Sequence, residues 1–200
     1  MLTFVLIGLT VLVSWQAFEK PRLLERLILW PPAIDRKKQY DRLLTHGFVH
    51  ADWTHLLFNM ITLFFFGRPI EGVMTQLIGP LGFVLFYLSA IVVAILPTYL
   101  RHRHDAHYSS LGASGGVSAV LFAYILLSPW TLIFIPVPVP AILYAIGYVA
   151  YSFWKDRQGG GNINHMAHLS GAIYGVLFML LVDSRVGPYF LQQLGNPQFR

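Results

Sequence analysis

Apolar residues gather into six runs, at residues 2–18, 53–66, 80–100, 113–127, 141–154 and 166–182. Each is long enough to form a helix, but several fall short of the ~20 residues that cross a full hydrocarbon core. The pattern predicts an all-α, polytopic six-span bundle, compact and seated in a locally thinned bilayer. Residues 19–52 join the first two runs. They mix Leu23, Leu24, Leu27, Ile28 and Trp30 with charges before Pro31-Pro32, as in a segment lying in the interface plane. The link from Ser128 to Pro140 holds four prolines and no charge, and is expected to be non-helical. Gly159-Gly160-Gly161 reads as a loop before the last run. No internal repeat is visible, and one bundle is expected to use the whole chain, residues 1–200.

Composition agrees with a membrane protein. The chain is 56% hydrophobic and 12% charged, against about 25% charged in soluble domains. It has no cysteine, which removes disulfides, thiol nucleophiles and zinc–thiolate sites. The first run has no basic lead-in and no small-residue cleavage site before Glu19, so it reads as a membrane helix and not a signal peptide. The net charge is +5. Seven of the fourteen Lys and Arg lie between Lys20 and Arg42, interleaved with acidic residues. That is a solvated connection and not a nucleic-acid tract. With the N-terminus cytoplasmic, outer loops would carry eleven of the fourteen, against the positive-inside tendency. Charge alone does not orient the chain.

In a six-span chain, runs two, four and six start on the same side. The first of these opens with His46, His50, His55 and Asn59, the second with Ser114, and the third with Asn164, His165 and His168. Polar groups at membrane depth are costly and mark function. Ser114 lies among Gly112, Gly115 and Gly116. Two readings fit that stretch. The glycines either free backbone N–H groups and admit a substrate to a nucleophile, or they serve close helix packing. His55 and Asn59, four apart, share a helix face. Gly171 and Gly175 form a small-xxx-small pair beside His168, whose approach to run four would bring His168 to Ser114. Serine beside histidine is the minimum for an activated nucleophile.

No carboxylate is spaced to complete a triad. Asp183 is at the far end of the last run, and Asp52 and Asp105 are in loops. The bland alternatives also stand: interfacial His50 and His55, and an Asn59 used for helix contact. The Gly112-x-Ser114-x-Gly116 pattern matches a nucleophile elbow, but that motif needs a preceding strand and a parallel sheet. Eight histidines raise metal binding, yet there is no His-Glu-x-x-His and no paired carboxylate. Neither metal nor cofactor is expected.

The segments His46-Gly47-Phe48-Val49-His50-Ala51-Asp52-Trp53-Thr54-His55-Leu56-Leu57-Phe58-Asn59-Met60, Gly112-Ala113-Ser114-Gly115 and Ala167-His168-Leu169-Ser170-Gly171, with Gly175, resemble the motifs of the rhomboid intramembrane serine proteases. They occur in the family's order, and the likeness covers nearly the whole chain as a six-span core of bacterial type. The resemblance implies Ser114 as nucleophile and His168 as general base. It implies an oxyanion hole from the Ser114 N–H, His55 and Asn59. His50, Gly112, Ala113, Gly115 and Gly171 would be supporting residues, and Glu71 a structural acid. It also implies a cytoplasmic N-terminus in a cell membrane, with the site opening on the outer side. Two departures stand out. Leu29-Trp30-Pro31 does not reproduce a Trp-Arg pair of some first loops. Ser118 occupies the position where some members stack a tyrosine on the histidine, so another group must orient His168.

The expected activity is cleavage of single-span membrane proteins by a Ser–His dyad, with the membrane-embedded substrate and the bilayer as partners and no nucleic acid or metal. The run around Gly147 and the proline-rich link are candidates for lateral motion that admits substrate. The rival readings are a non-catalytic helix-binding relative and a histidine-rich transporter or metal handler.

Overall fold

The computed structural model describes residues 1–134, 137–159, 161 and 163–198. Pro136 of the proline-rich link and Gly160 of the glycine loop, both part of the expectations above, lie outside them.

Helix α1 (Leu2–Glu19) is almost continuously apolar, yet Thr3, Leu6, Thr10, Ser14 and Ala17 are its buried residues. Their three- and four-residue spacing puts them on one face, so α1 turns small polar groups inward and bulky apolar ones outward. The connection that follows folds into a series of short helices. It forms α2 (Pro21–Leu27), α3 (Pro31–Lys37) and α4 (Arg42–Thr45), then a 3₁₀ turn over His46–Phe48. Both α2 and α3 start on proline, which has no N–H to leave unpaired there and a preset φ. The Arg42 guanidinium donates to the carbonyls of Glu25 and Ile28 at 2.7 Å each. Leu29 and Ile34 are fully buried. The loop is thereby fixed to the bundle.

Helix α5 (Trp53–Ile78) is capped by the Asp52 carboxylate, which accepts the His55 N–H at 2.7 Å. It runs twelve residues past the expected end at 66, through Arg68, Pro69 and Glu71. Those residues are accommodated individually. Glu71 accepts the Leu2 and Thr3 N–H groups at 2.6 and 2.9 Å and the Thr3 hydroxyl at 2.6 Å, closing the first turn of α1. The Arg68 guanidinium lies 5.6 and 5.5 Å from the Phe4 and Phe64 ring centroids, a cation–π arrangement.

Next come α6 (Gly82–His102) and α7 (Ser114–Leu127). The proline-rich link holds two short antiparallel strands, β1 (Leu132–Phe134) and β2 (Pro138–Pro140), in register Ile133 to Val139. Then follow α8 (Ala141–Gln158), α9 (His165–Val182) and α10 (Val186–Leu194). The pattern of apolar runs gave no sign of α10. Helices α1, α5, α6 and α9 are long and apolar enough to cross a membrane.

Helix α7 is the centre of the bundle. Residues 115–123 are buried without a break, and α5, α6 and α9 pack around it. Around the outside Phe58, Phe65, Leu85, Leu143, Ile173 and Leu181 are exposed. An apolar belt of this kind on a helical bundle belongs in lipid.

Candidate active site

Ser114 is the first residue of α7 and is half-buried. The first N–H groups of a helix have no partner within it, and among the described residues no hydrogen bond takes up the Ser114 N–H. The approach to the serine is held open by Gly112. Its φ is +114°, a backbone region that excludes most side chains, and a Cβ there would stand 2.6 Å from His55 Cε1. The Gly112 N–H donates to the His46 carbonyl at 2.9 Å. Two residues earlier in the loop, Ser110 exchanges both backbone hydrogen bonds with Leu29, at 2.9 and 3.1 Å. The connection after α1 thus holds the loop that delivers the serine.

His50 explains why Ala113 sits where it does. Its Nε2 accepts the Ala113 N–H at 3.3 Å, so its proton is on Nδ1, which faces the Ser14 hydroxyl at 2.9 Å. Ser14 in turn donates to the Phe48 carbonyl at 2.9 Å. The chain fixes the His50 tautomer. Burial pulls the imidazole down to about 3, the nearby His55 adding to the effect and Asp52 opposing it, so the ring stays neutral. Sequence reasoning missed Ser14, and the only hint was a hydroxyl on the inward face of α1.

His55 and Asn59 lie on one face of α5 beside this loop. The His55 ring meets His50 edge-on at 4.9 Å between centroids. The buried Asn59 amide donates to the His55 carbonyl at 2.9 Å, which occupies one of its two N–H groups.

His168 is in the first turn of α9, whose N-terminus is capped by Asn164 accepting the Ala167 N–H at 2.9 Å. Asn164 also accepts from Thr98 at 2.9 Å and donates to Ser110 at 3.1 Å, which ties α9 to α6 and to the loop before Ser114. Helices α7 and α9 meet backbone to backbone. A Cβ at Gly171 would stand 2.0 Å from the Gly115 carbonyl oxygen, and one at Gly175 would stand 2.2 Å from that of Ala119. A Cβ at Gly115 would reach the Ala167 carbonyl at 3.5 Å. Ser114 and His168 are therefore each one residue from a direct α7–α9 contact.

Among the described residues they form no hydrogen bond to each other, and none joins the His168 ring to a carboxylate. Asp52 caps α5, Asp105 accepts the His107 N–H, and Asp183 pairs with Arg185. Behind Ser114 is a cavity of about 10 Å³ lined by His46, Ser110, Gly112 and Asn164 among others, room for about one water molecule.

The group that meets the His168 ring comes from an unforeseen place. Tyr148 of α8 stacks on it, centroids 6.0 Å apart and planes 20° from parallel. The Tyr148 hydroxyl is 2.6 Å from the hydroxyl of Ser118. No group of three or more His, Asp or Glu among the described residues is arranged to hold a metal ion.

The rhomboid domain family model matches residues 37–185, which takes in all of these residues except Ser14 and Leu29. The rhomboid-like mitochondrial protein 12 of Arabidopsis thaliana is 31% identical over 177 residues, 81% of this chain and 52% of that one. The rhomboid protein YdcA of Bacillus subtilis is 28% identical over 175 residues, 84% of this chain and 82% of that one. The mitochondrial rhomboid protein 1 of Saccharomyces cerevisiae is 28% identical over 193 residues, 92% of this chain and 54% of that one. The chain spans about half the length of the Arabidopsis and yeast relatives.

Proposed function

The chain belongs to the rhomboid family of membrane proteins, and from that premise we propose that it is an intramembrane serine endopeptidase acting through Ser114 and His168. The observation that supports this most is the glycine interlock of α7 and α9, with Gly171 against the Gly115 carbonyl. The contact lies one residue after Ser114, which starts α7 with unpaired N–H groups, and one turn after His168 on α9.

In the proposed reaction His168 takes the Ser114 proton as the hydroxyl oxygen attacks a peptide carbonyl carbon. The negative oxygen that forms is stabilised by the Ser114 N–H, the His55 ring and the second N–H of Asn59. His168 then protonates the leaving amine as the C–N bond breaks. A water molecule, for which the cavity behind Ser114 has room, attacks the ester while His168 takes its proton. His168 returns that proton to the Ser114 oxygen as the ester C–O bond breaks, releasing the new carboxyl end and the free serine. His50, Gly112, Ala113 and Gly115 shape the loop that presents the serine, and His50 does so by holding the Ala113 N–H. The substrate is a single membrane helix that unwinds near the cut, because a helical peptide group is shielded by its own hydrogen bonds. Substrate reaches the site past α8.

We take residues 1–200 as a single six-span domain in a bacterial cell membrane, with the N-terminus cytoplasmic and the site opening outward. YdcA supports a bacterial setting, and the mitochondrial relatives define the alternative compartment. With no native cysteine, single cysteines placed in the connection after α1 and after α10 report the orientation through membrane-impermeant maleimides.

The experiment that tests the activity is labelling of the detergent-solubilised protein with a fluorophosphonate, the modified residue being mapped by mass spectrometry. Wild type is labelled at Ser114, with or without EDTA. Ser114→Ala and His168→Ala are not labelled. A folded wild type that resists the probe overturns the reading in favour of a helix-binding, non-catalytic protein.

A further inference from the structure

A general base must be aimed as well as present, and His168 lacks the usual means. No carboxylate, amide or carbonyl among the described residues hydrogen-bonds its ring, so packing alone sets the ring plane. Two rings touch it. His165 meets it edge-on at 5.9 Å, and Tyr148 lies nearly parallel at 6.0 Å, within the 4.5–7 Å range of offset aromatic stacks.

Tyr148 is itself clamped at both ends. Its hydroxyl shares a 2.6 Å hydrogen bond with Ser118, which is buried on α7 one turn after Ser114. Its ring packs on Phe122 and Tyr144, centroids 5.5 and 5.8 Å away. The serine side chain is too short to reach the histidine, and it leaves a space that a ring from the neighbouring helix fills. Three helices are joined through one tyrosine: α7 by its hydroxyl, α9 by its face and α8 by its backbone.

We propose that Tyr148, anchored by Ser118, is the positioning residue that holds the imidazole of His168 toward Ser114. This rests on the hydrolase reading above and adds a consequence. Helix α8 buries only Ala141, Ala145 and Ser152, and Gly147 has open space around it, so it is thinly held compared with α7. Any outward displacement of α8 lifts Tyr148 from His168. The base is aimed only while α8 is seated, and the chemistry is thereby coupled to the position of the helix past which substrate comes.

The test compares fluorophosphonate labelling of Ser114 in wild type, Tyr148→Ala, Tyr148→Phe, Ser118→Ala and the Ser118→Ala/Tyr148→Phe double variant. Thermal melting in detergent reports folding in each case. A misplacement of about 1 Å costs on the order of 10²-fold, so Tyr148→Ala lowers the limiting labelling rate by about that factor. The half-saturating probe concentration stays unchanged. Tyr148→Phe retains the stack, and losing one hydrogen bond costs it about tenfold or less. Ser118→Ala matches it, and the double variant is no slower than either single one, because both remove the same bond. The proposal is overturned if folded Tyr148→Ala labels at the wild-type rate, if the loss appears as weaker probe binding, or if the two single losses multiply. If Tyr148→Ala does not fold, the hydroxyl variants decide by their additivity. If wild type itself is not labelled, the hydrolase reading fails, and ¹³C-histidine NMR tests the positioning separately. The ring-current shift of the His168 Cε1–H signal, assigned with His168→Asn, is then lost in Ser118→Ala if Tyr148 is released and kept if the anchor does not matter.

Discussion

Replacing Gly171 by alanine is the sharpest test of the α7–α9 interlock. The added methyl would stand 2.0 Å from the Gly115 carbonyl oxygen, whereas close C···O contacts between helices lie near 3.3–3.6 Å. Because the obstacle is backbone, no side chain can rotate away, and the helices must part locally by about 1.3 Å, the gap between 2.0 Å and the lower end of that range. Overpacking of this kind costs about 1–3 kcal/mol. His168, one turn away on α9, moves with the helix while Ser114 stays with α7. In the proposed reaction a shift of ~1 Å between these two side chains costs about 10²-fold in rate. The assay is fluorophosphonate labelling of the folded fraction beside a thermal melt in detergent. Gly147→Ala on α8 is the control, since nothing lies within 4 Å of its added methyl, and labelling there stays at the wild-type rate. A Gly171→Ala protein that melts and labels as wild type does would refute the interlock as the support of the site.

Three other outcomes are expected. Asn59→Ala slows labelling by about 10²–10³-fold, the cost of one oxyanion donor, and a wild-type rate would remove Asn59 from the site. Glu71→Ala strips three hydrogen bonds from the first turn of α1. At about 1.5–3 kcal/mol for a bond to a charged group, non-additive within one carboxylate, it lowers the melting temperature by several degrees, while labelling of the folded fraction is unchanged. His50, with its folded value near 3 against about 6.5 unfolded, binds its proton more readily in the unfolded chain. Its contribution is therefore present above pH 6.5 and lost as pH falls below that, by up to about 1.4 kcal/mol per pH unit. His50→Gln removes about one proton's share of that slope in melts run from pH 7.5 to 5, and an unchanged slope would contradict a neutral, buried ring.

Helix starts and small-residue spacings were legible along the chain: glycines singled out Ser114, and the Gly171–Gly175 spacing beside His168 pointed to the α7–α9 contact that the structure shows. Features made by a meeting of distant elements were not. Ser14 reads as an unremarkable hydroxyl in α1 until Phe48 and His50 are placed beside it. Tyr148 reads as one more aromatic on α8, because its partners Ser118 and His168 are on two other helices. The end of α5 was misjudged for a related reason. Arg68 and Glu71 lower local hydropathy, yet the rings of Phe4 and Phe64 and the turn at Leu2–Thr3 take up their charges. Helix α10 was missed because its Arg185 and Gln192-Gln193 surroundings break any apolar run.

The shortness of α7 has a consequence for where a substrate would be cut. Its fourteen residues span about 21 Å, some 9 Å less than a ~30 Å hydrocarbon layer. Trp130, just past its end, is a residue type that settles at the lipid–water boundary. With that end fixed at one boundary, Ser114 lies about 9 Å beneath the other, the length of roughly six helical residues. Under the proposed endopeptidase reading, the bilayer would then act as a ruler. A lipid thicker by ~3 Å carries a substrate helix about two residues along relative to Ser114, so the bond presented for cleavage would be set by acyl-chain length as well as by sequence.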